Sequence, residues 1–225
     1  MWAAAPGYGG RMESLRTRYR RLLDTGGNTE RVEFFSDAVF AIAMTLLVLD
    51  IRLPDTAAAE LGPALAALAP EYFAYALSFA VIGVNWSAHH RKYRLISGYD
   101  RRLVQLNLLL LLLVAFLPFP TSVLSEYGGE TPAVVLYAAT VAAISGMQCL
   151  IWLSARASGL LAPVVDRSLF FYVLRTMLVT VVVFAASIPV ALLGAPDAAM
   201  YSWIIAAPLA VLAARWVPEP ATPGS

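Results

Sequence analysis

Charge, cysteine and lysine are scarce in this chain. Lys, Arg, Asp and Glu make up 14% of its 225 residues, with a formal net charge of +1. The basic residues sit in separate segments, which gives no continuous patch for a phosphate backbone, so no nucleic-acid partner is expected. The single cysteine, Cys149, lies in an apolar run. It has no partner for an intrachain disulfide and reads as a small core residue. Lysine occurs once, at Lys92, among many arginines, which reads as the bias of a GC-rich bacterial genome. No nucleophile and base pair, metal-ligand set or phosphate-binding glycine loop is visible, so an enzyme is not expected and no cofactor is called for. Internal repeats are missing. The first thirty residues lack the short apolar run and cleavage site of a secretory signal, so insertion is expected to begin with the first span.

What the chain does have is apolar length. Hydrophobic residues account for 60% of it and the mean hydropathy is +0.69, more apolar surface than a soluble domain of this size can hide. A helix needs about 20 apolar residues to cross a bilayer core, and segments near 32–52, 70–90, 103–124, 133–154, 168–193 and 198–216 reach that length. The expected fold is all-α, a polytopic membrane protein with six transmembrane helices over 31–216. A basic segment, 1–30, precedes them and a disordered tail, 217–225, follows. Six spans return both termini to one side. Arg11, Arg16, Arg18, Arg20, Arg21 and Arg31 precede the first span, and Arg91, Lys92, Arg94, Arg101 and Arg102 lie between the second and third. Arg156 and Arg167 lie between the fourth and fifth, whereas the opposite loops carry only Arg52 among acidic residues. The positive-inside rule therefore predicts cytoplasmic termini. Residues 57–69 predict a short outer interfacial helix that ends at Pro70, a first-turn proline for the second span. Residues 13–23 predict a basic helix on the inner leaflet, and 126–132 and 194–197 predict tight outer turns.

The first span opens on Arg31-Val-Glu-Phe-Phe-Ser-Asp37. A carboxylate near the start of a membrane span is costly, so Asp37 needs a partner. The second helix ends Asn85-Trp86-Ser-Ala-His89-His90-Arg-Lys-Tyr93, where Trp86, His89, His90 and Tyr93 share one face by spacing. Both ends are expected on the cytoplasmic side, which makes Asp37 and His89 the expected pair, with Ser36 as hydrogen-bonding group and Phe35 as packing. One competing reading is an interfacial histidine without a structural role. Another is a metal site, but adjacent histidines point about 100° apart on a helix and no Cys or Glu completes a ligand set. Further along the first span, Ile42, Leu46 and Leu49 fall on one stripe with Thr45 beside it. Periodicity alone reads this stripe as lipid-facing or packing.

In the third helix, Asn107 is expected to bond across helices in a structural role, and Pro118 and Pro120 to break or kink the outer end. In the fourth, Ala138, Ala142 and Gly146 form a stripe suited to close packing. Arg175, two turns into the fifth, is expected to snorkel to the interface, or else to pair with Asp37 or Asp100.

Arg-x-x-x-Phe-Ser-Asp at the head of the first span, filled by Arg31, Phe35, Ser36 and Asp37, resembles the signature of the transmembrane protein 175 family of potassium channels. The Trp-x-x-His-His end of the second helix, the Asn-Leu start of the third and its Pro-Phe-Pro end resemble that family too. The resemblance covers residues 31–121 well and the last three helices weakly. It implies that the first helix lines a pore, with Ile42, five positions after Asp37, as its constriction and Thr45, Leu46 and Leu49 on the same lining. It also implies that Arg31, Phe35, Ser36, Asp37, Trp86, His89 and His90 tie down the start of that helix. Because one helix cannot enclose a pore, the resemblance implies a homo-oligomer, a homotetramer for a chain with a single copy of the motif. The Thr-Val-Gly-Tyr-Gly filter of ordinary potassium channels is absent. Channels gate through hydrophobic constrictions too, so the apolar stripe that the resemblance assigns to the pore is compatible with a hydrophobic gate.

The leading expectation is a potassium-preferring cation channel in a bacterial plasma membrane, with potassium ions and membrane lipids as partners. The alternative from a different class is a proton-coupled secondary transporter with an Asp37/His89 relay. Transporters commonly carry internal repeats and paired broken helices, which this chain lacks. A structural or regulatory membrane subunit is the third reading.

Overall fold

Each of the long apolar runs up to residue 193 forms helix in the computed structural model, which describes residues 25, 26, 29–205, 209 and 212. In chain order these are α1 (Glu30–Leu46), extended by a tightened 3-10 turn over Leu47–Asp50, and α2 (Leu61–Ala67), entered through a 3-10 turn at Ala58–Glu60. Then come α3 (Ala69–Tyr93), α4 (Arg101–Phe116), α5 (Pro118–Tyr127), α6 (Thr131–Ala157), α7 (Arg167–Leu192) and α8 (Pro196–Ser202). The one strand pair among the described residues is two residues long, β1 (Thr25–Gly26) antiparallel to β2 (Tyr99–Asp100).

Local chemistry sets the boundaries. A proline occupies the first turn of α3, α5, α6 and α8, where its missing N–H costs nothing. Asp100 and Asp166 cap α4 and α7, each accepting from a backbone N–H three residues on at 2.7 Å. At the other end, Gly159 (φ +67°) and Gly194 (φ +88°) terminate α6 and α7. Leu160 N donates back to Ala155 O at 2.9 Å and Gly159 N to Arg156 O at 3.1 Å, the paired bonds of a left-handed helix stop.

Four stretches are long and apolar enough to cross a membrane: Glu30–Asp50, Arg101–Tyr127, Thr131–Ala157 and Arg167–Leu192. Ala58–Ala67 with Ala69–Tyr93 makes a fifth when taken together, bent by 48°. The protein is thus a mostly helical, multi-pass membrane protein. The expected sixth span begins as α8, and only 209 and 212 of it are described beyond Ile205. The expected basic 13–23 helix and the 217–225 tail lie outside the described residues. The prolines after α4 interrupt its hydrogen-bonded ladder at Leu117, yet α4 and α5 continue as one 27-residue span. The sharp bend falls instead between α2 and α3, where the small-residue segment turns away from the bundle.

Helix α6 is the most enclosed element and packs on α4, α5 and α7, while α1 packs on α3 and α4. The small-residue stripe of α6 is only partly a contact surface within the chain: Ala138 is fully buried, but a Cβ added at Gly146 would meet nothing within 4 Å. Close packing within one chain therefore holds at Ala138 and in part at Ala142, but not at Gly146.

The segments that carry the basic residues converge at one end of the bundle. The β1–β2 pair joins the segment before α1 to the α3–α4 connection. That connection also meets the α6–α7 loop through Ser97 N to Leu160 O at 2.8 Å, Ala162 N to Leu95 O at 2.9 Å and Ser158 Oγ to Asp100 Oδ2 at 2.8 Å. The charge pattern predicted that these segments share one side of the membrane, and hydrogen bonds hold them together at one end of the bundle.

Candidate functional site

The head of α1 is held by two adjacent arms of polar contacts, because consecutive helical residues point about 100° apart. The inner arm starts at Ser36, fully buried, whose hydroxyl donates to Val32 O at 2.7 Å and accepts from Asn107 Nδ2 at 2.9 Å. The Asn107 Oδ1 lies 2.9 Å from His89 Nε2. A carbonyl oxygen can only accept, so the hydrogen sits on Nε2. The His89 Nδ1 has no partner among the described residues, and its ring is fully buried between Tyr93 at 4.4 Å and Phe40 at 5.6 Å. Three helices, α1, α3 and α4, thus meet through one amide that donates on one side and accepts on the other.

The outer arm runs from Asp37, half-buried, whose Oδ1 accepts from Trp86 Nε1–H at 2.8 Å. The Trp86 ring stacks on His90 at 5.8 Å. The expected direct pair of Asp37 with His89 is therefore corrected. Asp37 takes the indole of Trp86, one turn nearer along α3, while His89 points inward to Asn107. The long indole reaches a carboxylate at the helix surface, and a buried imidazole at this depth meets an amide on the third helix before any carboxylate.

Two further members of the expected network lie elsewhere. Phe35 is 56% exposed. Arg31 is exposed in the first turn, outside the hydrogen bonds of both arms. At about 100° per residue, Arg31 and Phe35 fall on the stripe that carries Ile42, Thr45, Leu46 and Leu49. That stripe faces away from the bundle: Ile42 is 57%, Leu46 40% and Leu49 63% exposed. The Thr45 hydroxyl donates to Ile42 O at 2.8 Å and so presents mainly its methyl outward. Opposite the stripe, Ser36, Phe40, Ala43 and Leu47 are buried against α3 and α4. One side of α1 is thus anchored, and the other is a long, apolar, unpacked ridge.

A family model described as "Endosomal/lysosomal potassium channel TMEM175" matches residues 31–118. A protein named as a potassium channel from Streptomyces collinus is 45% identical over 142 residues, which span 60% of this chain and 69% of that protein. This chain belongs to the TMEM175 family. The fold agrees: the crystal structure of a TMEM175 homologue from Chamaesiphon minutus, described as lysosomal and potassium-selective, covers 83% of this chain and 96% of its own, with a TM-score of 0.69 at 33% identity. The human relative, named as an endosomal/lysosomal proton channel, is 42% identical over 98 residues, 40% of this chain and 19% of its own length.

The TMEM175 match contains both arms and the exposed ridge and stops short of α6 and α7. Sequence reasoning gave Asn107 only a generic structural role, although it is the hub of the inner arm. The signal was present, since one amide in a leucine-rich run needs partners on both of its ends. A second buried cluster, Lys92 with Gln148 and Asn85, was not foreseen. Arg175 lies with its guanidinium 5.8 Å from the Tyr172 ring centroid. Asp100 is engaged as a helix cap and by Ser158.

Proposed function

We propose that this chain is a potassium-preferring cation channel of a bacterial plasma membrane, in which α1 from each of four copies lines a central pore. The observation that carries this reading is the two-sidedness of α1. Its inner side is fixed by buried polar and apolar contacts, while its outer side leaves Ile42, Leu46 and Leu49 exposed among the described residues. A helix anchored on one side and bare on the other suits a ring of equivalent helices, and one such helix cannot enclose a pore alone. Ile42 is then the narrowest ring, an apolar constriction that resists wetting. Six spans, both termini cytoplasmic, and a channel domain over 31–216 belong to the same proposal. Arg31 and Phe35 stand at the cytoplasmic mouth of the ridge, and Ser36, Asp37, Trp86, His89 and His90 hold α1 in register. The channel carries out no covalent chemistry.

The names of the relatives support the reading, with potassium channel for the bacterial protein and proton channel for the human one. The second name favours protons as an additional permeant. An Asp37/His89 relay for coupled transport gains no support, since these residues bond to different partners. The test is ion flux from purified protein in liposomes, with potassium, sodium and protons measured separately. Passive potassium flux above sodium flux supports the channel. Saturable uptake that requires a proton gradient overturns it.

A further inference from the structure

Among the described residues the lone lysine is the one lysine or arginine that is fully buried, and it lines a cavity away from the α1 ridge. Lys92 shows no exposed surface, and no carboxylate pairs with it among the described residues. Its ammonium donates to Gln148 Oε1. Gln148 Nε2 donates to Asn85 O at 3.0 Å, and Ser145 Oγ donates to Asn85 Oδ1 at 3.4 Å. An ammonium has three N–H groups, and one amide oxygen does not offset its charge.

These residues line a partly enclosed cavity of about 380 Å³ between α3, α6 and α7. It reaches along α7 from Leu169 to Thr180, about 16 Å of helix. Its basic end, with Arg91 and Lys92, lies at the end of the bundle where the basic loops converge, and its deeper wall is mostly apolar, including Val84, Val173 and Met177. Arg91 is exposed and stands at that end. A slot along a membrane helix, basic at its end and apolar in its depth, matches an amphiphile with an anionic head and a hydrocarbon tail. Basic pockets between membrane helices on the cytoplasmic side recognise anionic headgroups, and a buried charge acts strongly through a low-dielectric wall.

We propose that this cavity binds the phosphate of an anionic phospholipid, with Arg91 and Lys92 supplying the charge and the α7 wall seating the upper acyl chain. The site is separate from the ridge of α1, so binding is read without reference to conduction. The test is native mass spectrometry of the full chain in detergent, titrated with phosphatidylglycerol, with phosphatidylcholine of the same chains, and with inorganic phosphate. Phosphatidylglycerol is retained about thirtyfold better than phosphatidylcholine, the size of effect two basic side chains supply. Lys92→Met and Arg91→Gln each reduce that preference. Thr176→Phe, which keeps Lys92 and fills the cavity from α7, removes retention and covers the case in which Lys92→Met fails to fold. Displacement of phosphatidylglycerol by inorganic phosphate supports the site as a phosphate-recognising one. Binding of inorganic phosphate without phosphatidylglycerol overturns the lipid as its source. Equal retention of the two lipids, or an unchanged preference in Lys92→Met and Thr176→Phe, overturns the site.

Discussion

Asn107 is the residue on which the anchoring of α1 turns, because it alone bonds to both other helices of the inner arm. Asn107→Leu keeps the volume close to constant but leaves the His89 Nε2–H and the Ser36 hydroxyl without their partner in a buried place. The expected cost is about 1–3 kcal/mol, read as a lower midpoint of thermal unfolding in detergent. Asp37 behaves differently, since its bond to Trp86 needs an acceptor and not a charge. Asp37→Asn retains the Oδ1 acceptor and is expected to assemble normally, while Asp37→Ala loses the bond and weakens the oligomer peak on size exclusion. Equal damage from both substitutions would show that the charge itself is required. The sequence made a partner for Asp37 legible but not its identity. Helical spacing shows that Trp86 and His89 share a face, yet whether an indole or an imidazole reaches the carboxylate depends on side-chain length and helix tilt. The hub on α4 depends on how three helices pack, which pairwise reasoning does not supply.

Elements were more legible than contacts. Apolar length gave the four or five spans that the structure describes, and the prolines and the 126–132 and 194–197 turns gave several of their ends, because each acts through backbone geometry within a few residues. The Asp100 and Asp166 caps and the Gly159 stop were not read from the sequence. The separate short helix ahead of Pro70 was legible too, while its 48° angle to α3 was not. Two glycines on and beside α6 separate these effects. Gly159 sits in left-handed backbone with open space around it, so Gly159→Ala is expected to cost about 1–2 kcal/mol for conformation alone. Gly146 is helical with the same open space, so Gly146→Ala is expected to be neutral or to stabilise by up to about 1 kcal/mol. Thermal melts of the two variants side by side check the pair. A loss at Gly146 would mean that another copy packs against that face.

At the scale of the whole molecule, the one-sided distribution of arginine foretold which loops lie together, and hydrogen bonds between those loops hold them at one end. A reporter active only outside the membrane should give signal when inserted at Gly128–Glu130 and none when inserted at Ser158–Asp166. The reverse pattern would invert the topology. Ridge and pore are also a matter of the assembly, since an exposed apolar face on one chain reads as lipid-facing by periodicity, and only several chains together turn it into a lining. Ile42 and Val48 are similarly exposed, but about 120° apart around α1, so a single substitution at each distinguishes a lining face from a lipid face. The most direct measurement is potassium and sodium flux through Ile42→Asn in liposomes, beside wild type and Val48→Asn. A polar ring wets more easily and lets ions keep more of their hydration, so Ile42→Asn should raise total cation flux about tenfold, equivalent to roughly 1.4 kcal/mol off the barrier. It should also lower the preference for potassium, while Val48→Asn leaves both unchanged. An assembled Ile42→Asn protein with the flux and selectivity of wild type would contradict the account, as would an equal effect from Val48→Asn.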